Sequence, residues 1–163
     1  MNKKHTVVNS SLIYLEQDGK YLMLHRIKKE NDMNHDKWIG VGGKFEAQES
    51  PEECAVRETI EETGLRILKL SYRGIVSFVL DDDVTEYMHL FTSEDFEGEL
   101  KDSDEGELEW VPKEKVTELP IWEGDKIFLR ELLEDRGFFS LKLVYRDDVL
   151  LSSCLNRYGK EGR

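Results

Sequence analysis

No stretch of this chain approaches the ~20 consecutive apolar residues that cross a bilayer. No apolar core follows the two lysines of Met1-Asn2-Lys3-Lys4-His5 either, so neither a membrane span nor a secretory leader is expected, and cytoplasm is the default compartment. Cysteine is scarce: Cys54 and Cys154 lie far apart, with the spacing of neither a zinc knuckle nor a disulfide framework, and both are expected as reduced thiols. A nucleophilic role for Cys54 would need a base beside it, and none is identifiable. Basic residues are outnumbered, 23 against 35 acidic ones, for a net charge of −12. A protein that grips duplex DNA or RNA replaces condensed counterions with lysine and arginine, so polymeric nucleic acid is an improbable partner. Internal repeats, low-complexity tracts and Pro/Gly/Ser-rich linkers are missing as well, and residues 1–163 read as one domain. A chain of that length buries about 70% of its unfolded surface.

What the chain does have is acid in a pattern. Ser50 is a natural N-cap, Pro51 suits the first helical position, Glu53 completes a capping box, and Gly64 can close the end in a left-handed conformation. A helix over Pro51 to Thr63 follows. Within it Glu58, Glu61 and Glu62 stand at i, i+3 and i+4, on one face and within one turn. Each like-charged pair at that spacing costs about 0.2–0.5 kcal/mol, and negative charge near a helix C-terminus also opposes the macrodipole. Arg57 can offset part of the cost through Glu61 or Glu49. A divalent cation offsets more, and a hard ion such as Mg²⁺ takes oxygen ligands while leaving positions for water and phosphate. A solvated acidic helix is the competing explanation for Glu-x-x-Glu-Glu alone.

The wider spacing separates the two. Gly43, Glu49, Arg57-Glu58, Glu61-Glu62 and Gly64-Leu65 together resemble the Nudix box, G-x5-E-x7-R-E-U-x-E-E-x-G-U with U aliphatic, matched at every charged and glycine position. Thr59 departs from it by standing at the first aliphatic site. Upstream, Trp38-Ile39-Gly40-Val41-Gly42-Gly43-Lys44 is similar to the W-x-G-x-G-G-K lead-in of the MutT-like, oxidised-purine nucleoside triphosphatase group. Ser103-Asp104-Glu105, Leu119 to Asp125 and Phe138-Phe139 add weaker likeness, so that the resemblance runs from about Thr6 to Leu155.

Periodicity outlines the rest. Thr6 to Leu15 and Tyr21 to His25 read as strands joined by a turn over Gln17 to Lys20. Lys28 to Lys37 reads as a polar loop. Ile67 to Val79 reads as a strand with a break near Gly74, the aspartates 81–83 as a turn, and Glu86 to Thr92 and Leu108 to Val111 as strands. The spacing of Ile127, Phe128, Leu129, Leu132 and Leu133 predicts a helix over Asp125 to Asp135. Leu141 to Tyr145 and Val149 to Leu155 predict a last hairpin, with Tyr158 to Arg163 mobile beyond it. The class is α+β, and the resemblance implies the Nudix fold, an α/β/α sandwich around a mixed sheet.

The resemblance also implies a site. Glu58 and Glu62 would be metal ligands with the Gly43 carbonyl, and Glu61 a ligand or the general base. Glu105 resembles a later glutamate that binds metal or activates water in some relatives, or else belongs to a solvated acidic run from Asp102 to Glu109. Glu49 and Arg57 would pair to hold the loop against the helix. Glycines 40, 42 and 43 would let the chain turn tightly and bring backbone near the phosphates. Lys44 and Arg26 are candidate phosphate cations or surface charges. Trp122 can stack on a base or pack in the core; Asp125 can bond a purine edge or cap the second helix. His25, His35 and His89 lack metal-ligand spacing. Two base-reading positions depart from the group: Ile39 replaces an asparagine, and Gly124 precedes Asp125 where paired aspartates are usual. The implied activity is Mg²⁺-dependent hydrolysis of a nucleoside triphosphate, 8-oxo-dGTP being the group's substrate, with Mn²⁺ as a possible substitute and the enzyme a monomer or homodimer. Sugar nucleotides and dinucleoside polyphosphates are the alternative substrates, and a non-catalytic nucleotide sensor is the alternative class.

Overall fold

The computed structural model describes residues 4–158. Its elements run β1 (Thr6–Gln17), β2 (Lys20–His25), β3 (Trp38–Ile39), β4 (Val41–Lys44), α1 (Pro51–Thr63), β5 (Arg66–Leu80) and β6 (Val84–Glu97). They continue through β7 (Glu107–Pro112), a 3₁₀ turn (Lys113–Glu118), α2 (Glu123–Glu134), β8 (Phe138–Arg146) and β9 (Val149–Tyr158). The strands form one mixed sheet in the order β3-β2-β1-β6-β5-β8-β9, with β4 paired to β1 and β7 to β2. Pairings β1–β6 and β5–β8 are parallel; the other strand pairs are antiparallel.

Alternation along β1 builds the layers. Ile13 and Leu15 face α1 and pack with Leu22, Ala55, Leu65, Ile67 and Phe91. Tyr14 points the other way, into a core with Leu90, Val76, Leu141, Leu143, Tyr145 and the α2 residues Phe128, Leu129 and Leu132. Helix on either side of a mixed sheet is the expected sandwich, and each fully buried aliphatic or aromatic side chain contributes about 1.5–3 kcal/mol to holding it.

Local chemistry sets the joints. Asp18 and Gly19, at φ 53° and 73°, form the β1–β2 turn, while Asp81, Asp82 and Asp147 take similar left-handed values between β5 and β6 and between β8 and β9. The strands exceed their expected lengths; β6, anticipated over Glu86 to Thr92, pairs with β1 as far as Ser93 and extends to Glu97 against β5 alone. The break at Gly74 is a register shift within a continuous β5, where an added Cβ would lie 2.6 Å from the Phe139 carbonyl oxygen. Helix α2 starts at Glu123 rather than Asp125 and is capped by no side chain, which removes the capping role for Asp125. Tyr158, expected to be mobile, ends the paired strand β9; residues 159–163 of that expected tail lie outside the described residues.

The glycine lead-in corrects a second expectation. Gly40, Gly42 and Gly43 do not take positive φ and make no tight turn. Gly42 and Gly43 belong to β4, opposite Leu12 and Ser11. A Cβ on Gly42 would stand 1.9 Å from the Ser11 carbonyl oxygen, and one on Gly43 2.5 Å from the Glu58 carboxylate. Glycine is required here for close approach rather than for dihedral freedom.

Candidate active site

Helix α1 is pinned at both ends. Ser50 Oγ accepts the Glu53 N–H at 3.0 Å and Glu53 Oε1 accepts the Ser50 N–H at 2.9 Å, completing the capping box. Gly64, at φ 79°, donates its N–H to the Ile60 carbonyl at 2.9 Å. Ser11 Oγ donates to the Pro51 carbonyl, fastening the first turn to β1. The last two turns therefore present Glu58 and Glu62 toward β4 and the 103–106 loop.

Arg57 is the cation of this face. Its Nε donates to Glu49 Oε2 at 2.5 Å and its Nη2 to Glu49 Oε1 at 2.9 Å. That bidentate pair holds the Glu49 acid down at about 2. Nη1 donates to Glu58 Oε1 at 2.9 Å and to Glu61 Oε2 at 3.2 Å, and Nη2 reaches the Lys44 carbonyl at 3.1 Å. One guanidinium thus ties the loop, β4 and two acidic side chains of α1 together. Glu61 stays more than half exposed, whereas Glu58 retains 14% of its side-chain exposure.

Glu62 has a different environment. Ser103 Oγ donates to Glu62 Oε2 at 3.0 Å. Burial, then the charge of Glu105, raises its acid to about 7. Burial likewise raises Glu58 above its ordinary value, with Arg57 opposing and Glu61 and Glu105 reinforcing the shift. Glu105 therefore stands with Glu58 and Glu62 rather than in a free acidic run, although β7 and its approach are distant in sequence. The loop that carries it is locked to β2, where a Cβ on Gly106 would fall 1.8 Å from the His25 carbonyl oxygen.

Among the described residues, no three carboxylate, imidazole or thiol groups close into a finished cation cage. Each carboxylate is instead held by its own partner: Glu58 and Glu61 by Arg57, Glu62 by Ser103, and Glu105 by Arg26. The donor set is nonetheless all oxygen and includes the backbone of Gly43, which lies against Glu58 and accepts a hydrogen bond from Cys54 Sγ at 3.3 Å. Hard cations select such a set. Cys54 itself is buried, and burial raises its thiol further from the thiolate form.

Arg26, a candidate phosphate cation, is engaged by two carboxylates, Nε with Asp32 at 2.6 Å and Nη1 with Glu105 at 2.7 Å. Lys44 is exposed at the end of β4. Ile39 lies in β3 opposite Leu24. The remaining two candidates lie on the α2 side. Trp122 is 7% exposed, meets Phe78 and Tyr145 edge-on with centroids 6.0 and 5.2 Å away, and donates its indole N–H to Asn34 Oδ1 at 2.7 Å. Lys37 Nζ sits 5.0 Å from its ring centroid. Asp125 is buried nearby, and desolvation raises its acid to about 7 against the opposing charge of Lys37. The Tyr14 hydroxyl is fully buried nearby, where burial and the Asp125 charge raise its acid and the Gly40 backbone opposes the shift. Gly124 leaves no room for a second aspartate: a Cβ there would stand 2.5 Å from Leu143 Cδ1, and its N–H donates to the Tyr145 hydroxyl at 2.7 Å.

Sequence reasoning did not find Ser103, Asp32, Lys37 or Tyr14 as members of this region. Ser103 belonged to the Ser103-Asp104-Glu105 likeness but carried no assigned bond; the others sit in a polar loop or a strand whose pattern gives only burial.

Residues 5–132 match the NUDIX domain. The chain is 29% identical over 148 residues to the oxidized purine nucleoside triphosphate hydrolase of Danio rerio, spanning 90% of this chain and 92% of that one. It is 28% identical over 144 residues to the Nudix hydrolase YvcI of Bacillus subtilis, spanning 85% and 87%. Its fold superposes on the crystal structure of a MutT protein from Bacillus halodurans with a TM-score of 0.81 at 30% identity, over 91% of this chain and 97% of that one. Motif, local geometry and fold thus agree along most of the length, and the chain belongs to the Nudix family of pyrophosphohydrolases.

Proposed function

We propose that this enzyme uses Mg²⁺, with Mn²⁺ able to substitute, to split a nucleoside triphosphate into a monophosphate and pyrophosphate. The observation that carries this reading is the placement of Glu58 against the Gly43 backbone and of Glu62 within reach of Glu105, where burial and mutual repulsion raise Glu58 and Glu62. A divalent ion relieves that repulsion, and Nudix hydrolases generally use divalent metals. Glu58, Glu62 and the Gly43 carbonyl would hold the ion, with Glu61 and Glu105 as further ligands. When bound, it would neutralise phosphate oxygens and acidify the attacking water. Either Glu61, open to solvent, or Glu105 takes the water's proton. Arg57 keeps Glu58 and Glu61 in place while Glu49 anchors it, and exposed Lys44 offers a charge to the phosphate tail. Residues 1–163 act as one domain in this reading; support comes from β8, which joins the same sheet alongside β5.

The substrate is a free nucleotide, since a cation can bridge its phosphates to a protein of net charge −12. The name of the Danio rerio relative makes 8-oxo-dGTP the first candidate. Ile39, Trp122 and Asp125 would meet its base, Asp125 as a protonated donor. A second reading, with the same chemistry on a sugar nucleotide or dinucleoside polyphosphate, is favoured by Ile39 and by the packing that excludes a side chain at Gly124. Sites that lose hydrogen-bond partners lose discrimination. Incubation of the protein with Mg²⁺ and a panel of 8-oxo-dGTP, ordinary nucleoside triphosphates, sugar nucleotides and dinucleoside polyphosphates, assayed for pyrophosphate and orthophosphate, tests both. Pyrophosphate from 8-oxo-dGTP supports the first; no product from any member would leave only nucleotide sensing.

A further inference from the structure

A chain of hydrogen bonds runs from Trp122, at the start of α2, to Glu62 on the acidic face of α1. Trp122 Nε1–H donates to Asn34 Oδ1 at 2.7 Å, the Asn34 N–H donates to Asp32 Oδ1 at 3.2 Å, and Arg26 Nε–H donates to Asp32 Oδ2 at 2.6 Å. Arg26 Nη1–H then donates to Glu105 Oε2 at 2.7 Å, the Glu105 N–H donates to Ser103 Oγ at 3.2 Å, and Ser103 Oγ–H donates to Glu62 Oε2 at 3.0 Å. Asp32 is the junction, with one oxygen committed to the loop and the other to Arg26. Asp32 and Arg26 keep only 10% and 14% of their side-chain exposure, and Glu105 keeps 22%. The Asp32 carbonyl also accepts the His35 N–H at 2.9 Å, which closes the loop around it.

A guanidinium gripped by one carboxylate on Nε and another on Nη1 cannot rotate without breaking a partly desolvated charge pair. Arg26 and Glu105 are both long, flexible side chains, and the short side chain of Asp32 is the fixed end against which they are set. We propose that Asp32 is a positioning residue: through Arg26 it fixes where the Glu105 carboxylate stands relative to Glu62. The inference rests on the reading that Glu105 serves the hydrolytic site.

The test compares wild type, Asp32→Ala, Asp32→Asn, Glu105→Gln and the double variant Asp32→Ala/Glu105→Gln on 8-oxo-dGTP with Mg²⁺, alongside crystal structures of wild type and Asp32→Ala. Removing a partner that orients a ligand costs about 10–100-fold in activity, so Asp32→Ala lowers kcat by that factor with KM nearly unchanged. Asp32→Asn restores part of it, because its amide oxygen still accepts from Arg26. In the Glu105→Gln background Asp32→Ala adds nothing; an equal further loss there overturns the proposal. The crystal structures decide without turnover. Glu105 displaced from its place beside Glu62 in Asp32→Ala supports the proposal, and Glu105 unmoved on Arg26 overturns it. An inactive wild type defeats the 8-oxo-dGTP reading, a fully active Glu105→Gln defeats the placing of Glu105 in the hydrolytic site, and either leaves that structural comparison to judge Asp32.

Discussion

The two faces of the sheet treat carboxylates in opposite ways. On the α1 side, Glu49, Glu58 and Glu61 share one guanidinium at the solvent edge, so a single positive charge orients three carboxylates. On the α2 side, Asp125 lies beneath apolar and aromatic neighbours, and burial rather than pairing controls it. The first arrangement retains negative charge for a cation to meet. The second disfavours charge, holding the acid protonated well above the pH at which an exposed aspartate ionises. Glu62 stands between the two regimes, with its acid raised to about 7 by burial and by Glu105 while a serine hydroxyl still favours its ionised form.

If the α1 side is the chemical end, its variants cost the most. Glu58→Gln and Glu61→Gln should each lower turnover by at least ~10²-fold, in the range that general-base or electrostatic groups contribute, with the far-ultraviolet dichroism unchanged. Wild-type rates in either variant would erase the distinction between the faces.

Asp125→Asn probes the other side. The folded-state acid titrates near 7 against an ordinary value of 3.8, so the folded protein holds a proton that the unfolded chain releases. The stability tied to that proton is full below about pH 4 and is lost as pH rises through 7. Asp125→Asn should therefore remove a few kcal/mol of this decline, flatten urea-denaturation stability between pH 4 and 7, and leave the variant more stable than wild type above 7. Glu62 declines over the same window in both proteins, so the difference isolates Asp125. Coincident pH profiles would contradict a buried acid there.

One position crosses the pattern. Thr59 is fully buried on the α1 side, and its hydroxyl has no partner among the described residues. Thr59→Val keeps the shape, removes the orphan group and should stabilise by about 1 kcal/mol, raising Tm by ~2–4 °C in calorimetry. Ser50→Ala, which removes the N-cap acceptor, should destabilise by about the same amount in the opposite direction.

These variants also mark what a reader of the residues alone can reach. Helix α1 was legible to the residue, because Ser50, Pro51, Glu53 and Gly64 act on their immediate neighbours. The aspartate turns were legible for the same local reason. The glycine lead-in was not: its glycines answer to Ser11 and Glu58 across the sheet, not to their own dihedrals. Nor was the start of α2, since no side chain caps it. Arg26 and Glu105, 79 residues apart, meet only because β2 pairs with β7. The carboxylates of the candidate site were thus marked by motif spacing, while the residues that orient them come from tertiary contacts that no spacing encodes.

Titration calorimetry with Mn²⁺ and Mg²⁺, with and without a non-hydrolysable nucleotide, addresses the basis of the proposed activity. The acidic face of α1 should take up the ion, release protons near pH 7 because Glu62 must ionise, and lose that uptake in Glu58→Gln/Glu62→Gln. Absence of uptake by the wild-type protein, alone or with nucleotide, would contradict it.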